Sequence, residues 1–318
     1  LAAPSSCSSL MSTAKTINLV LPETEVHFAG SSIDGQLVLH LRSTLVDPVV
    51  KVQLVGRGCV RWTEESNPEL DYYKDTTYTN LAVYVLKVKN FHIEDGCLDS
   101  GVHTFDFHFS FPPNIPSTFI SEIGSISYLV KGTCCSRQTV IAEGERHLLL
   151  QGTAGDHRTH VKHNASLVVE AKEDVVYFSC FSVGLVILRI SLEKNVFCPG
   201  ETIVFKTEIS NRTRKRVRKV IFTVDCIVLY SGFSSRGELR SLEDRSEVMR
   251  LEIQIDTAPF ETMRVARALA LPKPMPVTST LMENKIMAFR YELIGTSRLP
   301  HTTSTIVARV PIIIATTS

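Results

Sequence analysis

The sequence has no long hydrophobic run and no excess of charge of either sign. Its best apolar candidate, residues 183–188, ends at Arg189, whereas a membrane-spanning helix needs about 20 apolar residues. Lys and Arg number 34 and Asp and Glu number 33, which leaves a formal net charge of +1. A chain this close to neutral has no overall field that attracts a polyanion, so we expect no nucleic-acid partner. The length of 318 residues predicts about two globular domains.

The common catalytic and metal-binding motifs are also missing. There is no P-loop, no H-E-x-x-H and no EF-hand loop, and none of the eight cysteines forms a C-x-x-C pair. Asp106 and His108 share one face of a predicted strand, where alternation places polar residues whatever the function. We therefore expect neither an enzyme nor a bound cofactor.

The first ten residues lack the basic and apolar regions of a signal peptide. We interpret residues 1–10 as an unstructured extension before a more structured stretch that begins at Met11. The cysteines are expected to be free thiols, because disulfide frameworks are typical of short secreted chains. Two glycosylation sequons, at Asn164 and Asn211, would matter only in a secreted protein. These features favour a protein of the cytoplasm.

Two-residue alternation dominates the hydrophobic pattern and predicts many short strands, which argues for an all-β sandwich fold. The segment 237–250 is the one helix-like stretch, and we interpret it as a long charged hairpin connection with at most one helical turn. The alternating residues expected in the core of the first half are Leu37, Leu39, Val52, Leu54, Phe105, Phe107 and Phe109.

The second half of the chain repeats the pattern of the first. The turn around Gly30 matches the turn around Gly200, and at the same offset an apolar alternation recurs; a later motif matches Tyr128 to Tyr291. We predict two tandem immunoglobulin-like β-sandwiches, at residues 11–151 and 169–318, joined by a polar linker at 152–168. The residues expected in the second core are Ile203, Val220, Phe222 and Val224.

The polar linker contains three histidines, His157, His160 and His163, at every third position. In a polyproline-II segment they would share one face and could bind zinc or sense pH. The alternative is an exposed hydrophilic hinge. We prefer the hinge, because a histidine triplet in an unconstrained linker rarely forms a metal site.

Six of the eight residues from 212 to 219, called here the basic segment, are Lys or Arg. A concentrated basic patch can bind phosphorylated tails or anionic lipid headgroups, at about 1 kcal/mol for each residue near a membrane. A solvated hairpin tip and a nuclear localisation signal are the alternatives. The candidate anion-binding or membrane-binding residues are Arg212, Arg214, Lys215, Arg216, Arg218 and Lys219.

Several motifs resemble those of the arrestin-domain-containing (α-arrestin) family. They are Phe111-Pro-Pro-Asn-Ile-Pro-Ser-Thr-Phe119, Gly124-Ser-Ile-Ser-Tyr128-Leu-Val130 and the closing Val310-Pro-Ile-Ile-Ile314. The resemblance implies tandem arrestin N- and C-domains. It also implies a non-enzymatic adaptor in the endocytosis, sorting and ubiquitination of membrane proteins. Such an adaptor is cytoplasmic, lies peripheral to the plasma membrane or endosomes, and binds cytosolic segments of membrane proteins.

Many α-arrestins recruit HECT-type ubiquitin ligases through Pro-Pro-x-Tyr motifs in a C-terminal tail. Here the one Pro-Pro pair, Pro112-Pro113, is followed by Asn114-Ile115, so no such motif is present in this sequence. Two other functions are compatible with tandem sandwiches. One is a structural coat subunit of the retromer type, and the other is an extracellular β-sandwich adhesion module.

Overall fold

The computed structural model describes residues 14–65, 75–153, 165–176, 182–282, 285–298 and 304–316. Within these ranges the regular elements are β-strands, and no helix has the length and apolar character needed to cross a membrane. The all-β class predicted from alternation is confirmed. Residues 1–10 and the three linker histidines lie outside the described residues.

The described residues divide into two compact units. The first unit contains the described residues up to Trp62 and those from Thr79 to Gly152. The second unit contains the described residues between Trp62 and Thr79 and all described residues after Gly152. Most of the predicted linker, residues 154–164, is outside the described part, and its last two residues already belong to a strand. The linker boundaries therefore stay a prediction.

The first part of the chain forms one sheet in the order β1-β3-β8 and another that contains β11-β10-β5-β6. Short strands complete it, with β2 parallel to β12, β4 paired with β7 and β9 paired with β10. The strands are β1 (Ala14–Val20), β2 (His27–Phe28), β3 (Ser32–Leu41), β4 (Leu45–Val46), β5 (Pro48–Glu64), β6 (Thr76–Phe91), β7 (Cys97–Leu98), β8 (Gly101–Ser110), β9 (Phe119–Ile120), β10 (Gly124–Ser136), β11 (Thr139–Leu148) and β12 (Leu150–Gln151).

The core of the first unit lies between these two sheets. A Cβ atom at Gly132 of β10 would stand 2.7 Å from Cδ1 of Leu37 on β3, so the sheets pack face to face without a gap. Six of the seven predicted core residues are buried. Phe105 is the exception and is only half-buried. It lies on β8, at the border of its sheet, where its ring packs 5.0 Å from that of Phe91.

The second part of the chain forms the sheet β13-β14-β16-β19 and, opposite it, the strand order β18-β17-β20-β21-β15. The strands are β13 (Leu167–Val176), β14 (Ser182–Leu192), β15 (Val196–Phe197), β16 (Thr202–Arg212), β17 (Val217–Phe233), β18 (Leu239–Thr257), β19 (Thr262–Ala270), β20 (Met287–Arg298) and β21 (Thr305–Ile314). The four predicted core residues of this unit are all buried, as expected.

The two units repeat one another in detail. Gly30 and Gly200 both adopt a left-handed backbone, with φ of 79° and 83°, in the turn that leads into the first long strand. Just before each turn a two-residue strand pairs in parallel with a strand near the end of its unit, β2 with β12 and β15 with β21. The duplication inferred from sequence is therefore present in the pairing of the strands.

The interpretation of residues 237–250 as a charged connection was wrong. All of them from Leu239 onward belong to β18, which pairs with β17 from Val217 to Phe233. The charges alternate because they make cross-strand ion pairs on the outer face: Glu243 with Arg290, and Arg245 with Glu292, both at 2.8 Å. Charged side chains at every second position replaced the apolar alternation by which the other strands were recognised.

Candidate anion-binding site

The basic segment forms the tight connection between β16, which ends at Arg212, and β17, which begins at Val217. The two strands belong to opposite sheets, so the segment crosses from one sheet to the other at one end of the second unit. Five of the six predicted residues are exposed, and Lys219, already within β17, is half-buried. The predicted set therefore lies in one place, at an inter-sheet connection and the start of the following strand. The alternative of a hairpin tip was wrong, because β16 and β17 do not pair with each other.

A buried hydrogen-bond network holds this connection. Asn211 and Thr213 are both 0% exposed. The Asn211 side-chain amide donates to the carbonyl oxygens of Lys215 at 2.7 Å, Ala258 at 3.1 Å and Thr257 at 3.2 Å. The Thr213 hydroxyl donates to the Asn211 side-chain oxygen at 2.7 Å. Because these contacts fix the backbone on both sides of the bend, the basic side chains project from a rigid support.

The six basic residues differ in their partners. Arg216 pairs with Asp256 and Lys219 with Glu252, each at 2.5 Å. The Asp256 carboxylate raises the pKa of Arg216, and hydrogen bonds from Lys219 and then Arg250 lower the pKa of Glu252. These cations are already neutralised by the protein. Those that form no ion pair with a described residue, called here the unpaired cations, are Arg212, Arg214, Lys215 and Arg218.

An exposed aromatic ring stands beside the basic segment. Phe260 lies in the turn between β18 and β19, is 71% exposed and has a φ of 63°. Its turn is tied to the basic segment, since the Asn211 backbone N–H donates to Glu261 and the Asn211 side chain donates to Ala258. Sequence reasoning missed Phe260. The local signal was Pro259-Phe260 between two alternating runs, which marks a turn but does not place it beside the basic segment.

A groove of about 420 Å³ opens on the outer face of the same sheet. Arg298 lines this groove and forms no ion pair with a described residue, whereas Arg250 pairs with both Glu247 and Glu252. Sequence reasoning missed both arginines, because they come from β20 and β18 and meet only across the sheet. The groove is lined by Lys219, Ile221, Thr223, Arg250, Thr296 and Arg298.

A second groove, of about 390 Å³, lies on the opposite sheet, and its cations are already paired. A row of alternating charge crosses four strands in register from Glu170 through Arg189 and Glu208 to Arg264. The Arg189–Glu170 and Arg264–Glu208 contacts measure 2.5 and 2.7 Å. A row that neutralises itself offers an anion little, so the unpaired cations are the better candidates.

No group of three or more His, Cys, Asp or Glu side chains in the described ranges is arranged to hold a metal ion. Asp106 and His108 do not pair with each other. His108 bonds to Asp34 across the strands at 2.6 Å, and Asp106 accepts from Gln36 at 2.7 Å. Both are exposed cross-strand contacts of the kind that alternation produces.

Comparison with known proteins agrees with this architecture. Residues 17–151 match the family described as arrestin (or S-antigen), N-terminal domain, and residues 182–318 match its C-terminal domain. The human arrestin domain-containing protein 5 is 45% identical over 308 residues, 97% of this chain and 90% of that protein. The cattle protein of the same name is 44% identical over 305 residues, 96% and 92% of the two chains.

A more distant relative is arrestin domain-containing protein 15 of Caenorhabditis elegans. It is 26% identical over 235 residues, which are 72% of this chain and 59% of that protein. The resemblance inferred from the sequence motifs is confirmed. With both halves matched and nearly the whole length shared with the human protein, the chain belongs to the arrestin-domain-containing family.

Proposed function

We propose that this protein is a cytoplasmic adaptor that binds cytosolic segments of membrane proteins while its basic segment contacts the anionic membrane surface. Its place in the arrestin-domain-containing family supports a role in endocytosis and sorting. The observation that carries the membrane contact is the set of unpaired cations, held on a buried network beside the exposed ring of Phe260.

The expected strength of this contact suits a peripheral protein. Each basic residue near an anionic membrane contributes about 1 kcal/mol, so the four unpaired cations give roughly 4 kcal/mol. That is on the order of a thousandfold increase in binding. Insertion of one aromatic ring into the headgroup region adds about 1.5–3 kcal/mol if the ring is fully buried. The membrane contact would be reversible and would leave cargo binding to other surfaces.

Two observations favour a cytoplasmic protein over an extracellular adhesion module. Every cysteine in the described ranges is a free thiol, including the buried Cys134 and Cys226. The Asn211 sequon is buried, and its amide is fully engaged in hydrogen bonds, so a glycan cannot be attached in the folded state. Non-reducing mass spectrometry of the whole chain checks this: disulfide-linked peptides would contradict a cytoplasmic location.

The proposal does not depend on a Pro-Pro-x-Tyr motif. Pro112-Pro113 lies in the connection after β8, where the Pro112 carbonyl accepts from Gly30 at 3.2 Å and Ile115 is buried. Pro112-Pro113 is therefore not a ligase-binding motif. Affinity capture separates the alternatives, because a ligase or cargo co-purifies in substoichiometric amounts, whereas a retromer-type coat subunit is recovered in a stable complex of fixed composition.

Vesicle co-sedimentation tests the membrane contact. Wild-type protein should bind vesicles that contain phosphatidylserine and not vesicles of phosphatidylcholine alone. Replacing all four unpaired cations with Ser should abolish that binding. The matched control carries the same four-charge change in the first unit and should bind as wild type. It replaces with Ser four exposed arginines: Arg57, Arg61, Arg137 and Arg146. Equal binding by the two variants would overturn the proposal.

A further inference from the structure

One long strand edge is open. β18 (Leu239–Thr257), 19 residues long, pairs with β17 on one side, and no strand in the described ranges pairs with its other side. An open edge presents a row of unpaired N–H and C=O groups to which another strand can add. The half of β18 from Leu239 to Arg250 is largely exposed, so the edge is accessible.

Five charged side chains on this strand share one face. Glu243, Arg245 and Glu247 lie opposite every second residue of β17. After a bulge, Arg250 and Glu252 lie opposite the next residues of β17 on that same face. The bulge adds one residue to β18, which keeps the later charges on the face of the earlier ones. Along the edge the sign of the charge therefore alternates as acid, base, acid, base, acid.

We infer that this edge pairs with the same edge of a second copy of the chain, as antiparallel strands around a two-fold axis between Val248 and Met249. In this register Glu247 faces Arg250 of the second copy, and Arg245 faces Glu252. The two-fold axis repeats each contact, which gives four cross-strand ion pairs. The axis falls next to the middle residue of β18, so nearly the whole strand takes part in the new ladder.

The charges select this register over its neighbours. Sliding the second copy by two residues in one direction places Glu243 opposite Glu252 and Arg245 opposite Arg250. Sliding it by two in the other direction places Glu247 opposite Glu252. Like charges directly opposite one another destabilise a strand pair. An unrelated extended peptide would have to present an opposite charge at each position that faces a charge of β18. A second copy meets this requirement because the two strands are related by a two-fold axis.

The paired charges are ordered before association. Arg250 lies 3.1 Å from Glu247 and 2.8 Å from Glu252 in its own chain, with about 45% of its side chain exposed. Arg245 is held between Asp225 and Glu292. Arg250, whose partners lie on its own strand, can therefore reach Glu247 of the second copy with little further loss of side-chain freedom. Arg245 must turn from β17 and β20 toward the open edge to reach Glu252.

The test uses the full chain and two charge reversals, Glu247→Arg and Arg250→Glu. Sedimentation equilibrium should show wild type passing from monomer to dimer as its concentration rises. Each single variant should stay monomeric at a concentration where wild type is dimeric, because like charges then meet at the axis. An equimolar mixture of the two variants should dimerise, since each reversed charge meets its opposite only across chains. The double variant Glu247→Arg/Arg250→Glu should dimerise as wild type does.

Controls keep the result decisive. Glu23→Arg, a reversal at an exposed position of the first unit, should leave the dimer unchanged. Circular dichroism establishes that each variant is folded, and Arg250→Gln replaces Arg250→Glu if the latter melts early, with a weakened dimer expected. A wild-type chain that stays monomeric at every concentration, or a mixture that gains nothing over its components, would overturn the inference.

Discussion

The hydroxyl of Tyr128 donates a hydrogen bond of 2.6 Å to the carbonyl oxygen of Pro116. The second unit repeats this contact, since the Tyr291 hydroxyl lies 2.6 Å from the carbonyl oxygen of Pro276. Both tyrosines are at most 2% exposed and project from the centre of a sheet to a proline-rich connection. Each bond therefore fastens an irregular segment to the core of its unit at the equivalent place.

Removing either hydroxyl should destabilise its unit. Tyr291→Phe leaves the Pro276 carbonyl without this donor, and we expect the free energy of unfolding to fall by about 1–2 kcal/mol; Tyr128→Phe should act similarly. Urea denaturation measures both. Tyr84→Phe is the matched control, because no hydrogen bond joins the Tyr84 hydroxyl to a described residue, and it should change stability by less than about 0.5 kcal/mol. Equal losses in all three variants would contradict the assigned role.

The network under the basic segment should also be structurally important. Asn211→Ala removes the donor to three buried or half-buried carbonyls, so we expect a loss of about 2–3 kcal/mol in the free energy of unfolding. Asn18→Ala, an exposed asparagine in β1, should stay within about 0.5 kcal/mol of wild type. A small effect at Asn211 would mean that the connection is held by its strands alone.

Most of the fold could be predicted from the sequence, since alternation and duplication identified both sandwiches and most core residues. Phe105 is only half-buried although Phe107 and Phe109 of the same edge strand are buried, because alternation assigns a residue to the inner face without fixing how far that face is covered. β18 was missed because charged cross-strand pairs took the place of apolar alternation. Phe260 and Arg298 could not be assigned to the candidate site, since only the folded chain brings separate connections and strand ends together at one end of the second unit.

Phe260 should contribute to vesicle binding at the expense of stability. A bulky residue with φ of 63° is strained by about 1–2 kcal/mol, and the freedom of glycine in the unfolded chain offsets about half of that. Phe260→Gly should therefore leave the free energy of unfolding unchanged or raise it by up to about 1 kcal/mol, while weakening vesicle binding. The control Phe233→Gly, at the end of β17, should lower stability. A Phe260→Gly variant that binds vesicles as wild type would contradict a membrane role for the ring.

Acid should weaken the turn at Glu201. Burial alone would raise the pKa of Glu201, but the ion pair with Lys194 and a hydrogen bond of 2.8 Å from the Cys198 N–H outweigh burial and lower that pKa from its ordinary value of 4.5. The ionised carboxylate therefore stabilises the folded state above pH 4.5, and this contribution is lost as the pH falls through the lowered pKa.

Glu201→Gln should consequently differ most from wild type at neutral pH, and the difference in the free energy of unfolding should shrink below pH 4.5. Chemical denaturation at several pH values measures this difference. Glu23→Gln, at an exposed position, is the control and should track wild type throughout. A difference between Glu201→Gln and wild type that did not vary with pH would contradict the role given to the charge.

Proximity labelling in living cells tests the central claim most directly. A labelling enzyme is fused to wild type, to the variant lacking the four unpaired cations and to the four-arginine control variant of the first unit. Wild type and the control should label cytosolic segments of membrane proteins, and the variant that lacks the four unpaired cations should lose most of that labelling at equal expression. Labelling of lumenal or extracellular segments, or equal labelling by all three proteins, would contradict a cytoplasmic adaptor that meets the membrane through its basic segment.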